Sequence, residues 1–247
     1  MQKKIRVGAV SYLNTKPLIY GFEQGLMADR VELTLDYPSN LASAIQKGRI
    51  DVALLPVAAI PNIPNARVIS KYGIASNRKV ASVCLFSQVP IEEIQEIYLD
   101  YQSRTSVALL RVLLRDYWHI RPMLLEADEQ YIDRISGKTA GIIIGDRALE
   151  NLNRFEYVYD LAEAWHEHTQ LPFVFAAWVS NTELSEEFTE AFDETVGTGL
   201  QHLDEIIAAN PFPAYDLGTY YRENMAYELD EDKQKGMTLF LKGVETL

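Results

Sequence analysis

The sequence contains very little cysteine, since Cys84 is the single one among 247 residues. A lone cysteine cannot form an internal disulfide, which excludes a disulfide-stabilised secreted domain. It lies within the apolar run 80–86, where a buried structural thiol is favoured over a nucleophile. Long hydrophobic stretches are also lacking, and none approaches the roughly 18 apolar residues of a membrane-spanning helix.

A secretion signal is missing as well. Residues 1–6 carry charges and lead directly into a short apolar run, without the apolar core and the small-residue cleavage site that a signal peptide has. Together with the missing membrane segment, this pattern predicts a cytoplasmic protein.

Basic residues are in the minority. Lys and Arg number 23 against 35 Asp and Glu, which gives a formal net charge of −12. Such a surface repels phosphate backbones and anionic lipid head groups, so neither nucleic acid nor a membrane is expected as a partner. The net charge describes the surface as a whole, and a local pocket for a small anion remains compatible with it. The hydrophobic fraction of 48% is typical of a globular chain.

Several motifs of cofactor-dependent chemistry are absent. The sequence has no P-loop, no G-x-G-x-x-G, no G-x-S-x-G elbow and no H-E-x-x-H helix. His166 and His168 form an H-x-H pair, but no nearby pair supplies the remaining ligands of a zinc site. Gly197 and Gly199 lie inside a predicted helix, which argues against a nucleotide-binding turn. We therefore expect no metal and no cofactor.

Short apolar runs alternate with helical segments, a pattern typical of an α/β fold. Strands are predicted at 5–10, 30–37, 51–56, 80–87, 97–100 and 140–144, followed by the stretch 157–161 and the apolar run 171–179. After Ser185 the apolar residues recur at helical spacing, and only helices are predicted. The pattern favours two lobes with a cleft between them, one of residues 1–86 plus 180–247 and the other of residues 87–179, with a hinge near 87 and 178.

Two polar loops precede predicted helices in the two lobes. They contain Ser11, Tyr12 and Asn14 after the first strand, and Ser103, Arg104, Thr105 and Ser106 at the start of a long helix. Amides at a helix N-terminus bind carboxylates, and hydroxyl, amide and guanidinium groups add further hydrogen bonds. The two loops could therefore clamp one dianion. An ordinary capped helix explains each loop as well, and both interpretations stay open.

Residues 11–18, Ser-Tyr-Leu-Asn-Thr-Lys-Pro-Leu, resemble the opening motif of the MqnA family, the chorismate dehydratases of menaquinone biosynthesis. Further blocks resemble the family in the same order, at 51–58, 82–87, 99–100 with 103–106, 144–146 and 171–176. The similarity spans residues 5 to about 180 and continues more weakly through the C-terminal helices. One departure is Gln170, at a position where the family pattern leads us to expect a glycine.

This resemblance implies a periplasmic-binding-protein-like fold of the second type, used as an enzyme without a secretion signal. It also implies a hydro-lyase that converts chorismate, a dicarboxylate, to 3-[(1-carboxyvinyl)oxy]benzoate and water. Two alternatives share the fold, because fold does not decide function. One is the sister lyase of the same pathway, which forms 1,4-dihydroxy-6-naphthoate, and the other is a non-catalytic protein that binds small anions.

On this resemblance, Asn14 is the candidate catalytic residue. No Glu or His stands in the candidate loops. We therefore hypothesise that the enolpyruvyl carboxylate of the substrate takes the proton, while Asn14 orients that carboxylate or hydrogen-bonds the departing hydroxyl.

The remaining candidates are expected to bind the substrate. Those expected to anchor its carboxylates are Ser82, Ser103, Arg104, Thr105 and Ser106, and Ser11 and Tyr12 join them from the first loop. Ser39 and Asn40 are candidates for the pocket wall, and Asp146 is a candidate acid. For these last three residues a plain helix cap is the alternative.

Overall fold

The computed structural model describes residues 4–247, apart from the side chain of Ser39, and shows two mixed β-sheets covered by helices. The strands are β1 (Ile5–Ala9), β2 (Val31–Leu35), β3 (Val52–Pro56), β4 (Arg67–Ser76), β5 (Val83–Ser87), β6 (Glu96–Leu99), β7 (Met123–Glu126), β8 (Thr139–Ile144), β9 (Tyr157–Asp160), β10 (Phe173–Ser180) and β11 (Ala226–Glu228).

The helices are α1 (Lys16–Glu23), α2 (Pro38–Gln46), α3 (Arg104–Asp116), α4 (Asp146–Asn151), α5 (Leu161–Thr169), α6 (Glu186–Gln201), α7 (Leu203–Ala209), α8 (Leu217–Thr219) and α9 (Glu231–Val244). Short 3₁₀ turns and one π-helical turn connect some of them. Among residues 4–247, none of these helices combines the length and the apolarity needed to span a lipid bilayer.

Each sheet is built around three parallel strands. The first sheet has the order β11-β4-β10-β3-β1-β2, and the second has the order β7-β6-β8-β5-β9. The parallel sets are β2-β1-β3 and β7-β6-β8, and the other strands extend each set in antiparallel pairing. Two α/β lobes are therefore present, in agreement with the predicted fold class.

Both faces of each sheet are buried at the central strands. In β3, Val52 and Leu54 belong to the core that includes α1 and α6 residues, whereas Ala53 and Leu55 belong to the core beneath α2. Parallel sheets covered on both sides need strands that are apolar at every position, which explains the continuous apolar runs in the sequence. Cys84 in β5 is buried in the same way, as predicted.

The chain crosses between the two sheets at residues 77–82, from β4 to β5, and at residues 170–172, from α5 to β10. These crossings correct the predicted positions near 87 and 178. β5 pairs with β8 and β9 in the second sheet, and β10 pairs with β3 and β4 in the first. The apolar pattern of a strand does not record which sheet it joins, because its partners are distant in sequence. That the lobes hinge at these crossings stays a prediction.

The lobe boundaries shift with the crossings. The second sheet and its helices occupy 83–169 rather than 87–179. The C-terminal helix α9 contacts both lobes, because the ring of Phe240 packs edge-on against Trp165 of α5 and Phe173 of β10, with centroids 6.1 and 4.9 Å away. The C-terminal part is thus not confined to the first lobe.

Gln170, the departure from the family pattern, ends α5 in a left-handed conformation. Its φ of 61° lies in the region that favours glycine. The Gln170 side-chain amide donates to the carbonyls of His166 and Glu167 at 3.3 and 3.2 Å. These bonds satisfy carbonyls at the end of the helix and offset part of the cost of the backbone conformation.

The sequence pattern misses strands β4, β7 and β11. The expectation of helices alone after Ser185 is wrong, because Ala226 and Glu228 pair with β4. A strand of three residues has no pattern of its own, and β11 forms because the edge of β4 offers it a partner.

Helices α1 and α6 pack closely enough to exclude side chains at two points. A Cβ on Gly199 would collide with the Pro17 carbonyl oxygen, and a Cβ on Gly21 would collide with the Thr195 carbonyl oxygen. The absence of a Cβ at Gly199 therefore allows the close contact between α1 and α6.

We expect Gly199→Ala to lower the free energy of unfolding by about 1–3 kcal/mol, because overpacking forces the two helices apart. Gly243→Ala is the matched control, since Gly243 is also helical and a Cβ there would meet Val112 at an ordinary 3.5 Å. Its stability should be unchanged or slightly higher. Denaturant unfolding measures both variants, and equal stabilities would contradict the close packing.

Candidate active site

A cavity of about 70 Å³ lies between the two lobes and is lined by residues from both. Its lining residues are Val10, Tyr12, Asn14, Pro38, Leu54, Pro56, Ile74, Val80, Ser82, Val83, Gln102, Ser103, Ser106, Ile144, Gly145, Phe175 and Ala176. Many of them follow or end strands β1, β3, β6 and β8 at their carboxyl ends, where α/β sheets gather ligands. We call this space the inner cavity.

A second space of about 240 Å³, the outer cavity, adjoins the inner one. Both are lined by Pro38, Pro56 and Gln102. The outer cavity adds Tyr37, Ala42, Ala59, Tyr101 and Arg104. The predicted residues Tyr12, Asn14, Ser82, Ser103 and Ser106 thus meet at the inner cavity, and Arg104 stands at the outer one.

The loop after β1 does not form the ordinary helix cap that was its alternative. Leu13–Thr15 is a 3₁₀ turn that leads into α1, and neither Tyr12 nor Thr15 caps a helix with its side chain. The Tyr12 hydroxyl instead donates to Oε1 of Gln102 in the second lobe at 3.1 Å. Burial raises the pKa of Tyr12, so its phenol stays protonated and can donate.

Asn14 is held by its neighbour. The fully buried Thr15 donates from Oγ1 to Oδ1 of Asn14 at 3.2 Å. With Oδ1 engaged, the Asn14 Nδ2 group donates to no acceptor within residues 4–247 and has two hydrogens for a ligand. The geometry favours Asn14 as a donor toward the inner cavity.

The loop before α3 combines a cap with a binding surface. Ser103 Oγ accepts from the Ser106 amide at 3.1 Å and donates to Ser106 Oγ at 2.8 Å. The capping interpretation is therefore correct for Ser103, which lines the cavity as well. In the part of the chain that the structure describes, the amides of Arg104 and Thr105 donate to no protein acceptor, so this helix start can accept an anion.

Thr105 does not line either cavity. It is buried, and its Oγ1 accepts from the Ala58 amide of the first lobe at 3.1 Å. Its role in the structure is a contact between the lobes. Arg104 is exposed and makes no ion pair within the described chain, which leaves its guanidinium available to the outer cavity.

Two other predicted residues, Ser11 and Asn40, lie away from both cavities. Ser11 is exposed and lines neither of them. Asn40 points to a separate groove beside Arg6, where its Nδ2 donates to Asp36 at 2.8 Å, because the helical turn turns it away from the cleft. The backbone of Ser39 belongs to α2, and its side chain lies outside the described atoms.

Asp146 contacts the first lobe. Gly145, not Asp146, is the N-cap residue of α4, and Asp146 Oδ1 accepts from the Leu13 amide at 3.3 Å. Burial raises the pKa of this carboxyl, and the bond from Leu13 counteracts the shift only in part. Asp146 therefore holds the loop that carries Asn14.

Two residues at the cleft, Gln102 and Tyr220, were not predicted from the sequence. Gln102 lines both cavities and bonds Tyr12 across the cleft. Tyr220, from the C-terminal helices, donates to Ser82 Oγ at 2.8 Å. Gln102 could have been predicted because it directly precedes the polar residues 103–106. Tyr220 could not, because it lies 138 residues from Ser82, its partner.

The first crossing segment is fixed by Asp160. Its Oδ2 accepts from the amides of Val80 and Ala81 at 2.9 and 2.6 Å, and its Oδ1 accepts from Ala162 and Glu163. Ala81 adopts a φ of 61°, an uncommon conformation for alanine. Burial raises the pKa of Asp160 to about 6 although these amides favour the charged form.

Metal ligands are not assembled here. Within residues 4–247, no three His, Cys, Asp or Glu side chains come together as a group that could hold an ion.

Comparison with known proteins links the chain to one biosynthetic route. A family model described as menaquinone biosynthesis matches residues 5–246. A chorismate dehydratase from Thermus thermophilus is 25% identical over 96% of this chain and 94% of its own length. A chorismate dehydratase from Campylobacter jejuni is 26% identical over 97% of each chain.

Solved structures share the fold at lower identity. A protein from Archaeoglobus fulgidus has a TM-score of 0.74 at 16% identity, over 98% of this chain and 97% of its own. The periplasmic aliphatic sulphonate binding protein of Escherichia coli has a TM-score of 0.63 at 15% identity, over 98% and 93%. These similarities confirm the predicted periplasmic-binding-protein-like fold.

Asp160 is expected to make stability depend on pH. Its pKa in the folded chain, about 6, lies above the ordinary 3.8, so the folded state binds the proton more tightly. Its contribution to stability is then fully present below about pH 4 and is lost as the pH rises through about 6.

We therefore expect the unfolding free energy of the wild type, measured relative to Asp160→Asn, to fall by about 2–3 kcal/mol between about pH 4 and pH 8. Urea unfolding at both pH values gives this difference, because the acceptors lost in the variant are lost equally at each pH. A difference that does not change with pH would contradict the raised pKa.

Proposed function

Because the chain belongs to the menaquinone-biosynthesis family, we propose that it is a chorismate dehydratase, a hydro-lyase that converts chorismate to 3-[(1-carboxyvinyl)oxy]benzoate and water. Two relatives with that name match it over nearly their whole lengths, which supports the proposal. The observation that carries it is the inner cavity, where neutral hydrogen-bond donors from both lobes converge.

The donors suit a dicarboxylate. Asn14 Nδ2, the hydroxyls of Ser82 and Ser106, and the free amides at the start of α3 are all available to carboxylate oxygens. They hold negative charge without adding a competing proton acceptor, and preorganised dipoles in an enclosed site bind charge well. Arg104 in the outer cavity can pair with a second carboxylate.

The size of the space supports a ligand that extends through both cavities. The inner cavity of about 70 Å³ accommodates only a few water-sized groups. The adjoining 240 Å³ provides the remaining room, and Gln102 stands between the two spaces. In this proposal one substrate carboxylate lies among the inner donors and the other lies near Arg104.

The proposed reaction is a 1,2-elimination. The enolpyruvyl carboxylate takes the proton from the carbon that bears the enolpyruvyl ether, the electron pair of that C–H bond forms the new ring double bond, and the neighbouring C–O bond breaks. The carboxylate then returns the proton to the departing hydroxyl, which leaves as water. No oxidation state changes overall. The aromatic ring that results makes the step strongly favourable.

The proton acceptor proposed here is the substrate's own enolpyruvyl carboxylate. Among the described residues that line the inner cavity there is no Asp, Glu, His or Lys, so no side chain there is a ready base. Asn14 donates to this carboxylate or to the departing hydroxyl and holds the reacting conformer. Asp146 supports Asn14 indirectly through the Leu13 amide.

The first test is to incubate the purified chain with chorismate without any added cofactor and to separate the products by chromatography. We expect chorismate to disappear while the enolpyruvyl ether of 3-hydroxybenzoate accumulates in equal amount. Binding without turnover would support a non-catalytic anion-binding protein, and neither binding nor turnover would support the sister lyase, with a different substrate.

Asn14→Asp is expected to lower kcat/KM at least about a hundredfold, since it removes both donors and places a like charge beside the substrate carboxylate. Asn153→Asp is the matched control, because Asn153 is exposed and lines neither cavity, and its activity should equal that of the wild type. Steady-state kinetics give kcat/KM for both variants. Full activity of Asn14→Asp would remove Asn14 from the mechanism.

A further inference from the structure

The C-terminal turn after α8 contacts two segments that build the cleft. This turn, Tyr220–Asn224, is π-helical, a conformation frequent at functional sites. Tyr220 donates to Ser82 Oγ at 2.8 Å, Tyr221 donates to the Leu13 carbonyl at 2.9 Å, and Asn224 donates to the Lys79 carbonyl at 3.3 Å. The turn thus supports the loop of Asn14 and the crossing segment at once.

The bond between Tyr220 and Ser82 determines the direction of both hydroxyl hydrogens. Tyr220 is fully buried, and Ser82 Oγ is the one acceptor that its hydroxyl has within residues 4–247. If Ser82 were the donor, the phenol hydrogen would be buried without a partner, which costs more than the bond is worth. Tyr220 is therefore the donor and Ser82 the acceptor.

The hydrogen of Ser82 is left without a protein partner by this arrangement. Ser82 lines the inner cavity and is itself 1% exposed, and no acceptor for its hydroxyl exists among the described residues. A buried donor of this kind is satisfied by a ligand atom or by an ordered water in the cavity.

We propose that Tyr220 is a positioning residue that keeps the Ser82 hydroxyl hydrogen directed at a carboxylate oxygen of the ligand. The assignment of that ligand as chorismate rests on the proposed function. Burial also raises the pKa of the Tyr220 phenol far above its ordinary value, so the tyrosine donates at every working pH.

The test is a double-mutant cycle on kcat/KM with chorismate, using Tyr220→Phe, Ser82→Ala and the double variant. We expect Ser82→Ala to lose about 10- to 100-fold, since a hydrogen bond to a charged group disappears. Tyr220→Phe should lose about 5- to 10-fold, because Ser82 is then free to rotate. The double variant should match Ser82→Ala, since the tyrosine acts only through the serine.

Tyr227→Phe is the matched control. Tyr227 is also buried and lies in β11, but its hydroxyl has no partner among the described residues. Its removal should leave kcat/KM within twofold of the wild type.

The thermal midpoint adds a readout that does not depend on turnover. Ser82→Ala leaves the buried Tyr220 hydroxyl without an acceptor, so the Tm of this variant should fall. Adding Tyr220→Phe should restore part of that loss. Multiplicative losses in kcat/KM, or a Tyr220→Phe variant as active as the wild type, would overturn the proposal. A Tyr220→Phe chain that no longer folds would overturn it too, since the hydroxyl would then be structural.

Failure of the proposed function is distinguishable from failure of this inference. If the wild type does not turn over chorismate, the dehydratase assignment fails, and the same cycle is measured on benzoate affinity by calorimetry. Weaker benzoate binding in Tyr220→Phe, with no further loss when it is added to Ser82→Ala, would still support the positioning role. Unchanged affinity in Tyr220→Phe, or no benzoate binding by the wild type, would overturn it.

Discussion

Strand β10 returns the chain to the first sheet, and the placement of the two lobes follows from this return. The strand inserts between β3 and β4, antiparallel to both, and all but one of its residues are buried. Its first residue, Phe173, pairs with Ser76, the last residue of β4. The two crossings therefore stand side by side, and the carboxyl ends of β1 and β3 meet those of β6 and β8 at one cleft.

The proposed function requires the cleft to hold an anion inside an acidic protein. With a formal net charge of −12, the chain provides little long-range attraction for a dicarboxylate. In the proposed complex, local dipoles compensate, since an amide side chain, hydroxyls and a helix start converge at the inner cavity. In the proposed mechanism, neutral donors bind the charge and leave the substrate's own carboxylate as the strongest base in the site.

Residues outside the two cavities form hydrogen bonds that hold the cavity-lining segments in place. Asp146 and Tyr221 hold Leu13 through its amide and its carbonyl, and Thr15 holds Asn14. Asp160 fixes the amides of the first crossing, next to Ser82. These bonds come from both lobes and from the C-terminal turn. The C-terminal part therefore contributes to the site, although the sequence resemblance to the family weakens after about residue 180.

Features that depend on neighbouring residues could be predicted from the sequence. The sequence predicted the α/β class, most strands, the buried Cys84 and the polar loops around Asn14 and Ser103, because periodicity and helix starts are local properties. Four other features follow from tertiary contacts. They are the sheets that β5 and β10 join, the formation of β11, the contact that Thr105 makes between the lobes, and the hydrogen bond from Tyr220 to Ser82. Each of these depends on strand pairing or side-chain contact across long stretches of chain, and no pattern of adjacent residues encodes such contacts.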